Sequence, residues 1–145
     1  MKTLISLALL LGFTSAAHAQ EAGPCPQLPG SQLSWEQRSY GDSILCRAIR
    51  SDGSEAFGVS IANEEPYELR RSNRRGQGSV NGQGVYWHEG ELAARPGMLV
   101  RETMFELANG RNVHVWIHAD SDAQLRETTG IVQGLHFDPD RLSSK

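Results

Sequence analysis

Nothing in this chain is apolar for long enough to cross a bilayer. The longest such run, Leu4 to Phe13, is about ten residues, whereas a span needs about 20. Cysteine is scarce: Cys25 and Cys46 are the only two, which excludes a Cys-x-x-Cys redox pair and a two-pair thiolate zinc site. No Asn-x-Ser/Thr glycosylation acceptor occurs. Basic charge is not in excess either. The formal net charge is −3, so the chain has no global pull toward nucleic acid or anionic membrane. The glycine run Gly76–Gly82 lacks the Lys-Ser/Thr ending of a phosphate loop, and Gly58-Val59-Ser60-Ile61-Ala62 is not a Gly-x-Ser-x-Gly nucleophile elbow. No catalytic residue and no cofactor is therefore expected, and nothing in the sequence points to an enzyme.

What is present begins with an export signal. Met1-Lys2-Thr3 is a short positive start, the Leu4–Phe13 run follows, and Ala17-His18-Ala19 has the small-x-small form that signal peptidase cuts after. Residues 1–19 are expected to be a cleavable signal peptide of bacterial type. Cleavage after Ala19 places the mature chain in the periplasm or outside the cell, with no integral membrane segment. Losing Lys2, the one charged residue of 1–19, takes the net charge from −3 to −4. In an oxidising compartment Cys25 and Cys46 are most simply a disulfide. Closing a loop of about 20 residues corresponds to roughly 3 kcal/mol in chain-entropy models.

Residues 20–32 hold three prolines and two glycines and are expected to be irregular. A single domain is expected over 33–137, with 138–145 as a loose polar tail. Within it, Leu33–Tyr40 is a weakly alternating strand ending at Gly41-Asp42. Ile44–Arg50 and Glu55–Ile61 flank Ser51-Asp52-Gly53-Ser54, and a two-residue Asp-Gly turn opposes Ile44 to Ile61, Cys46 to Val59, Ala48 to Phe57 and Arg50 to Glu55. Residues 62–79 read as a long polar connection, and Gln83–Glu91 as a strand. Leu99–Leu107 and Arg111–Ala119 form a second hairpin about Ala108-Asn109-Gly110. A bulged three-residue loop opposes Phe105 to Val113, Thr103 to Val115 and Leu99 to Ala119, which makes one apolar face; a two-residue turn mixes charge into it.

Ser121 with Gln124 three residues later is a capping-box pattern. Leu125, Thr128, Val132 and Leu135 then recur at helical spacing. The expected fold is α+β: an antiparallel meander of five to six strands with a C-terminal helix packed on one face. The closing order resembles the ends of small exported bacterial proteins of unknown function, and more faintly the Mog1/PsbP-like α/β sandwiches. That order is a strand ending Val115-Trp116-Ile117-His118-Ala119, the Ser121–Gly134 helix, then Leu135-His136-Phe137. The resemblance covers about the last 50 residues and implies a sandwich fold but no functional residue.

Two features carry chemistry. His114, Trp116 and His118 alternate with Val113, Val115 and Ile117, so they share the face opposite the core. Four residues of strand span roughly 13 Å, so His114 and His118 cannot chelate one ion as a pair. A metal site would need one of them with Glu102, Glu106 or His88. Arg70, Arg71, Arg74 and Arg75 stand out in an acidic domain, because guanidinium groups grip carboxylate or phosphate by forked hydrogen bonds. The leading functional expectation is a non-catalytic binding module of the cell envelope with a protein partner and no nucleic acid. The alternatives are a metal-binding or metal-dependent hydrolytic protein using His88, His114 or His118, and a structural or stress-related envelope protein without a specific ligand.

Overall fold

The strands reverse where glycine or asparagine lets the backbone turn. A computed structural model describes residues 23–28 and 30–142; the expected signal peptide lies outside them. Among the described residues there are seven strands: β1 (Ser34–Tyr40), β2 (Ser43–Ile49), β3 (Glu55–Ala62), β4 (Arg74–Val80), β5 (Gln83–Gly90), β6 (Leu99–Glu106) and β7 (Asn112–Ala119). They form one antiparallel sheet in the order β1-β2-β3-β7-β6-β5-β4. The class is α+β as expected, but the strand count of five to six is corrected to seven.

The additional strand is β4, which falls inside the stretch expected to be a polar connection. It pairs with β5 about Asn81-Gly82, whose φ values of 55° and 70° are those of a type I′ hairpin turn. Two glycines and no apolar alternation hid it, since its outer edge meets solvent and its side chains are mostly exposed.

The β2–β3 register is as expected for Ile44↔Ile61, Cys46↔Val59 and Ala48↔Phe57. The turn differs. Only Gly53 takes positive φ, at 85°, and Arg50 N–H bonds to Ser54 O at 2.8 Å while Gly53 N–H bonds to Arg50 O at 2.9 Å. The loop thus has three residues with Gly53 as the left-handed one. Asp52 stays out of the left-handed region and accepts from Ser54 N–H at 2.8 Å and Ser54 Oγ at 2.6 Å, the local bonding that favours Asp in turns. The one-residue slip is absorbed between Ala48 and Ile49, so Ile49 and not Arg50 opposes Glu55. The β6–β7 hairpin adopts the bulged register, with Phe105↔Val113, Thr103↔Val115 and Leu99↔Ala119.

The helix α1 (Asp122–Gln133) starts where Ser121 Oγ accepts from Gln124 N–H at 3.2 Å. It buries Thr128 and Val132 and covers one sheet face. There Phe57, Val59, Ile61, Val113, Val115 and Ile117 are fully enclosed. Cys25 is joined to Cys46 by a disulfide, fastening the irregular segment 23–28 to this face.

Of the expected tail 138–145, residues 138–142 are described and pack against the domain, while 143–145 lie outside the described residues. Pro139–Leu142 forms a 3-10 turn and Leu142 is 1 % exposed within the core. Arg111 holds it: one guanidinium, itself buried, donates to the carbonyls of Leu142 (2.7 Å), Ile61 (3.2 Å) and Asp42. Among the described residues no helix is long and apolar enough to cross a membrane.

Candidate binding site

Directly opposed residues in an antiparallel ladder point to the same face. Following the pairing across the sheet therefore gives one transverse row on the face away from α1: Glu36, Arg47, Gly58, Trp116, Glu102, His88 and Arg74, one from each strand. Polar and charged side chains thus cross the whole sheet, interrupted only where Gly58 makes room for the indole of Trp116. The row could not be drawn from sequence, because the β3–β7 and β5–β6 pairings join segments that no tight turn aligns.

Two carboxylates organise it. Glu55, at the start of β3, accepts from Trp116 Nε1 at 2.6 Å and from Arg47 Nε at 2.6 Å, and His118 Nδ1 lies 3.5 Å away. Arg47 also reaches Glu36 at 3.2 Å. Glu102 lies 3.0 Å from His114 Nε2 and accepts a hydrogen bond from the Tyr67 hydroxyl through the same oxygen. Tyr67 belongs to the β3–β4 connection. That connection must pass from the middle of the sheet to its far edge, and it does so across this face. Its ring meets His114 edge-on at 5.4 Å between centroids, and His114 in turn packs against Trp116 at 5.1 Å.

The expected His114–Trp116–His118 stripe is therefore one continuous face, but its two histidines serve different carboxylates. Of the partners considered from sequence, Glu102 is met by His114; Tyr67 and Glu55 were not foreseen. The only signal for Tyr67 was an aromatic residue stranded in a polar connection. Among the described residues no three His, Cys, Asp or Glu side chains gather as a metal-holding group.

His88 is 7 % exposed and its Nδ1 is buried without a hydrogen-bond partner. It sits where the sheet opens. β5 and β6 pair only from His88↔Glu102 to Gly90↔Val100. Beyond that, Thr103 Oγ1 caps the Tyr86 carbonyl at 2.9 Å and Gln83 Nε2 caps the Glu106 carbonyl at 3.1 Å. A cleft of about 270 Å³ lies here, lined by Leu69, Arg74, Tyr86, His88 and Met104 among others. The Arg74 guanidinium stacks 4.0 Å above the Tyr86 ring.

The arginine cluster is split by the fold. Arg70 and Arg71 lie in the connection, exposed and, among the described residues, without a carboxylate partner. Arg74 and Arg75 open β4, and Arg75 pairs with Glu89 at 2.6 Å. Only Arg74 joins the transverse row, at the opposite end from Glu36.

The electrostatics follow from burial. Burial pushes the Glu102 carboxyl up, but the hydrogen bonds from His114 and Tyr67 outweigh it and hold the group below the usual Glu value. Burial and then the bond to Glu102 raise the Tyr67 hydroxyl. Burial also holds His118 below its ordinary 6.5, against the pull of Glu55 and with the help of Arg95, Arg50 and Arg47. A depressed pKa in the folded state means that the unfolded chain takes up the proton first, so stability is lost as pH falls. The midpoint of thermal unfolding is expected to decline as pH drops below about 6.5, with a further decline in the carboxylate range from Glu102. His118→Gln is expected to flatten the first decline and leave the second, read from melting curves between neutral and acid pH.

Comparison with protein-family models, curated proteins and solved structures gives no match for this chain.

Proposed function

We propose that this is an exported, non-catalytic binding module that captures an acidic segment of another envelope protein at the β4 end of the strapped sheet face. The observation that carries this reading is the state of the arginines. Arg74 is held over the Tyr86 ring, so its guanidinium is positioned before any ligand arrives and loses less freedom on binding. Arg70 and Arg71 stand beside it exposed, in a domain whose overall charge is negative. The cleft over His88 gives an incoming side chain a recess next to them. The Cys25–Cys46 disulfide fits an oxidising compartment outside the cytoplasm, in keeping with the export signal expected over residues 1–19.

The test is capture of a partner from envelope extract by the mature, disulfide-intact protein, followed by mass spectrometry and a titration of the purified pair. One dominant partner is expected, released as salt rises. Reversing Arg70, Arg71, Arg74 and Arg75 to glutamate is expected to weaken the pair at least tenfold for each arginine engaged, since a charged hydrogen bond contributes about 1.5–3 kcal/mol. Undiminished affinity after reversal at the same salt concentration would remove this edge as the site.

A further inference from the structure

The sheet has two edges, and they are unlike. The β4 edge carries Arg74 and Arg75, is bulged between Arg74 and Gly76, and has two glycines. Charge, bulges and irregular backbone are the usual devices that stop a strand edge from pairing with another chain. The β1 edge has none of the backbone devices. Ser34 to Tyr40 runs in unbroken register with β2, without proline, glycine or bulge, and Gln37 to Tyr40 are exposed. Its charges are Glu36 and Arg38, opposite in sign and two residues apart.

The direction of its backbone groups follows from the turn. Tyr40 and Ser43 flank the two-residue turn Gly41-Asp42, so they exchange hydrogen bonds with each other. Hydrogen-bonding sides alternate along a strand. Arg38 and Glu36 therefore also bond to β2, while Trp35, Gln37 and Ser39 turn their N–H and C=O groups outward, to the edge.

We propose that β1 pairs with β1 of a second copy of this chain, antiparallel about a two-fold axis at Gln37. In that register Gln37 faces Gln37, Trp35 faces Ser39, and both pairs present outward backbone groups to each other. Glu36 of each copy then faces Arg38 of the other, at the non-hydrogen-bonded positions where opposed side chains come closest. The intrastrand bond from Arg38 Nη2 to Glu36 at 2.9 Å becomes part of a four-charge cluster that continues into Arg47. Such a pair is closed: the joined sheet ends on a guarded β4 edge at each side, so a dimer forms and no fibre.

Sedimentation of the mature, disulfide-bonded protein over a range of concentrations tests it. A monomer–dimer equilibrium is expected for the natural sequence. Arg38→Glu alone and Glu36→Arg alone are each expected to sediment as monomers, because like charges then face each other at both positions. Mixing the two variants is expected to restore the dimer, since a strand acidic at both positions then faces a strand basic at both. Gln37→Pro removes an outward N–H that bonds to nothing else among the described residues. It is expected to abolish dimerisation while the thermal midpoint of the diluted protein stays near that of the natural sequence. A monomer at every concentration overturns the proposal, as does a dimer indifferent to Arg38→Glu and Gln37→Pro. The first outcome fits an edge filled by the chain's own N-terminal residues or left open, and the second fits contact through another surface.

Discussion

Replacing Arg111 with methionine is expected to destabilise the protein by about 3 kcal/mol, measured by urea unfolding. The guanidinium satisfies the carbonyls of Leu142, Ile61 and Asp42, and an abandoned buried acceptor costs about 1–3 kcal/mol. Part of that sum is offset, because methionine no longer carries a charge into a site where, among the described residues, no carboxylate pairs with it. For a domain whose whole stability is expected near 5–15 kcal/mol, the remainder is a large share. The damage should also be local in a recognisable way. Arg111 ties the β1–β2 turn, the end of β3 and the Pro139–Leu142 turn together, so amide hydrogen exchange near Leu142 is expected to quicken most. Arg111→Lys, whose three donors radiate from one nitrogen and not from the two that Arg111 uses, should fall between the natural sequence and the methionine variant.

The second large effect is expected at Gly58. A Cβ added there would stand 2.1 Å from Trp116 Cζ2 and 2.7 Å from Trp116 Nε1, well inside any tolerable contact. Gly58→Ala therefore drives the indole off the sheet and breaks its bond to Glu55. Overpacking of this kind costs about 1–3 kcal/mol, and the lost bond to a carboxylate about 1.5 kcal/mol or more. A double-mutant cycle separates this from the general effect of alanine on a strand. In a Trp116→Ala background Gly58→Ala should cost little, because nothing remains above the glycine to be displaced. Equal cost in both backgrounds would mean that the indole is not what limits position 58.

These two residues also show where sequence reasoning stops. The β2–β3 and β6–β7 hairpins were legible because each is local: a Gly-containing turn and an apolar alternation on either side agree on one register. Even there, the length of the first turn escaped, since Asp52-Gly53 suits a two-residue or a three-residue loop and only a bulge at Ala48/Ile49 reconciles turn with core. β4 was missed although Asn81-Gly82 is a strong hairpin signal, because an edge strand exposed on most of its length has no need of alternating apolar residues. Gly58 and Arg111 carry no local mark at all. One is explained by a tryptophan far away in sequence, the other by three carbonyls from three different segments. The site follows the same rule. The His114–Trp116–His118 face was visible as a periodicity within one strand, but its carboxylates Glu55 and Glu102, and the Tyr67 that covers it, come from elsewhere.

The strand order has a consequence for how the chain is made. β3 is an inner strand of the finished sheet, yet its neighbour on the central side is β7, the last of the described strands to be synthesised: Ala62 waits for Asn112, and Phe57 for Ile117. Until residue 119 has emerged, β1 to β3 form a half-sheet whose most apolar strand, bearing Phe57, Val59 and Ile61, is its raw border. The nascent chain thus passes through an interval in which its stickiest surface is uncovered, and the interval ends only when the final strand slots in and α1 folds down over the seam.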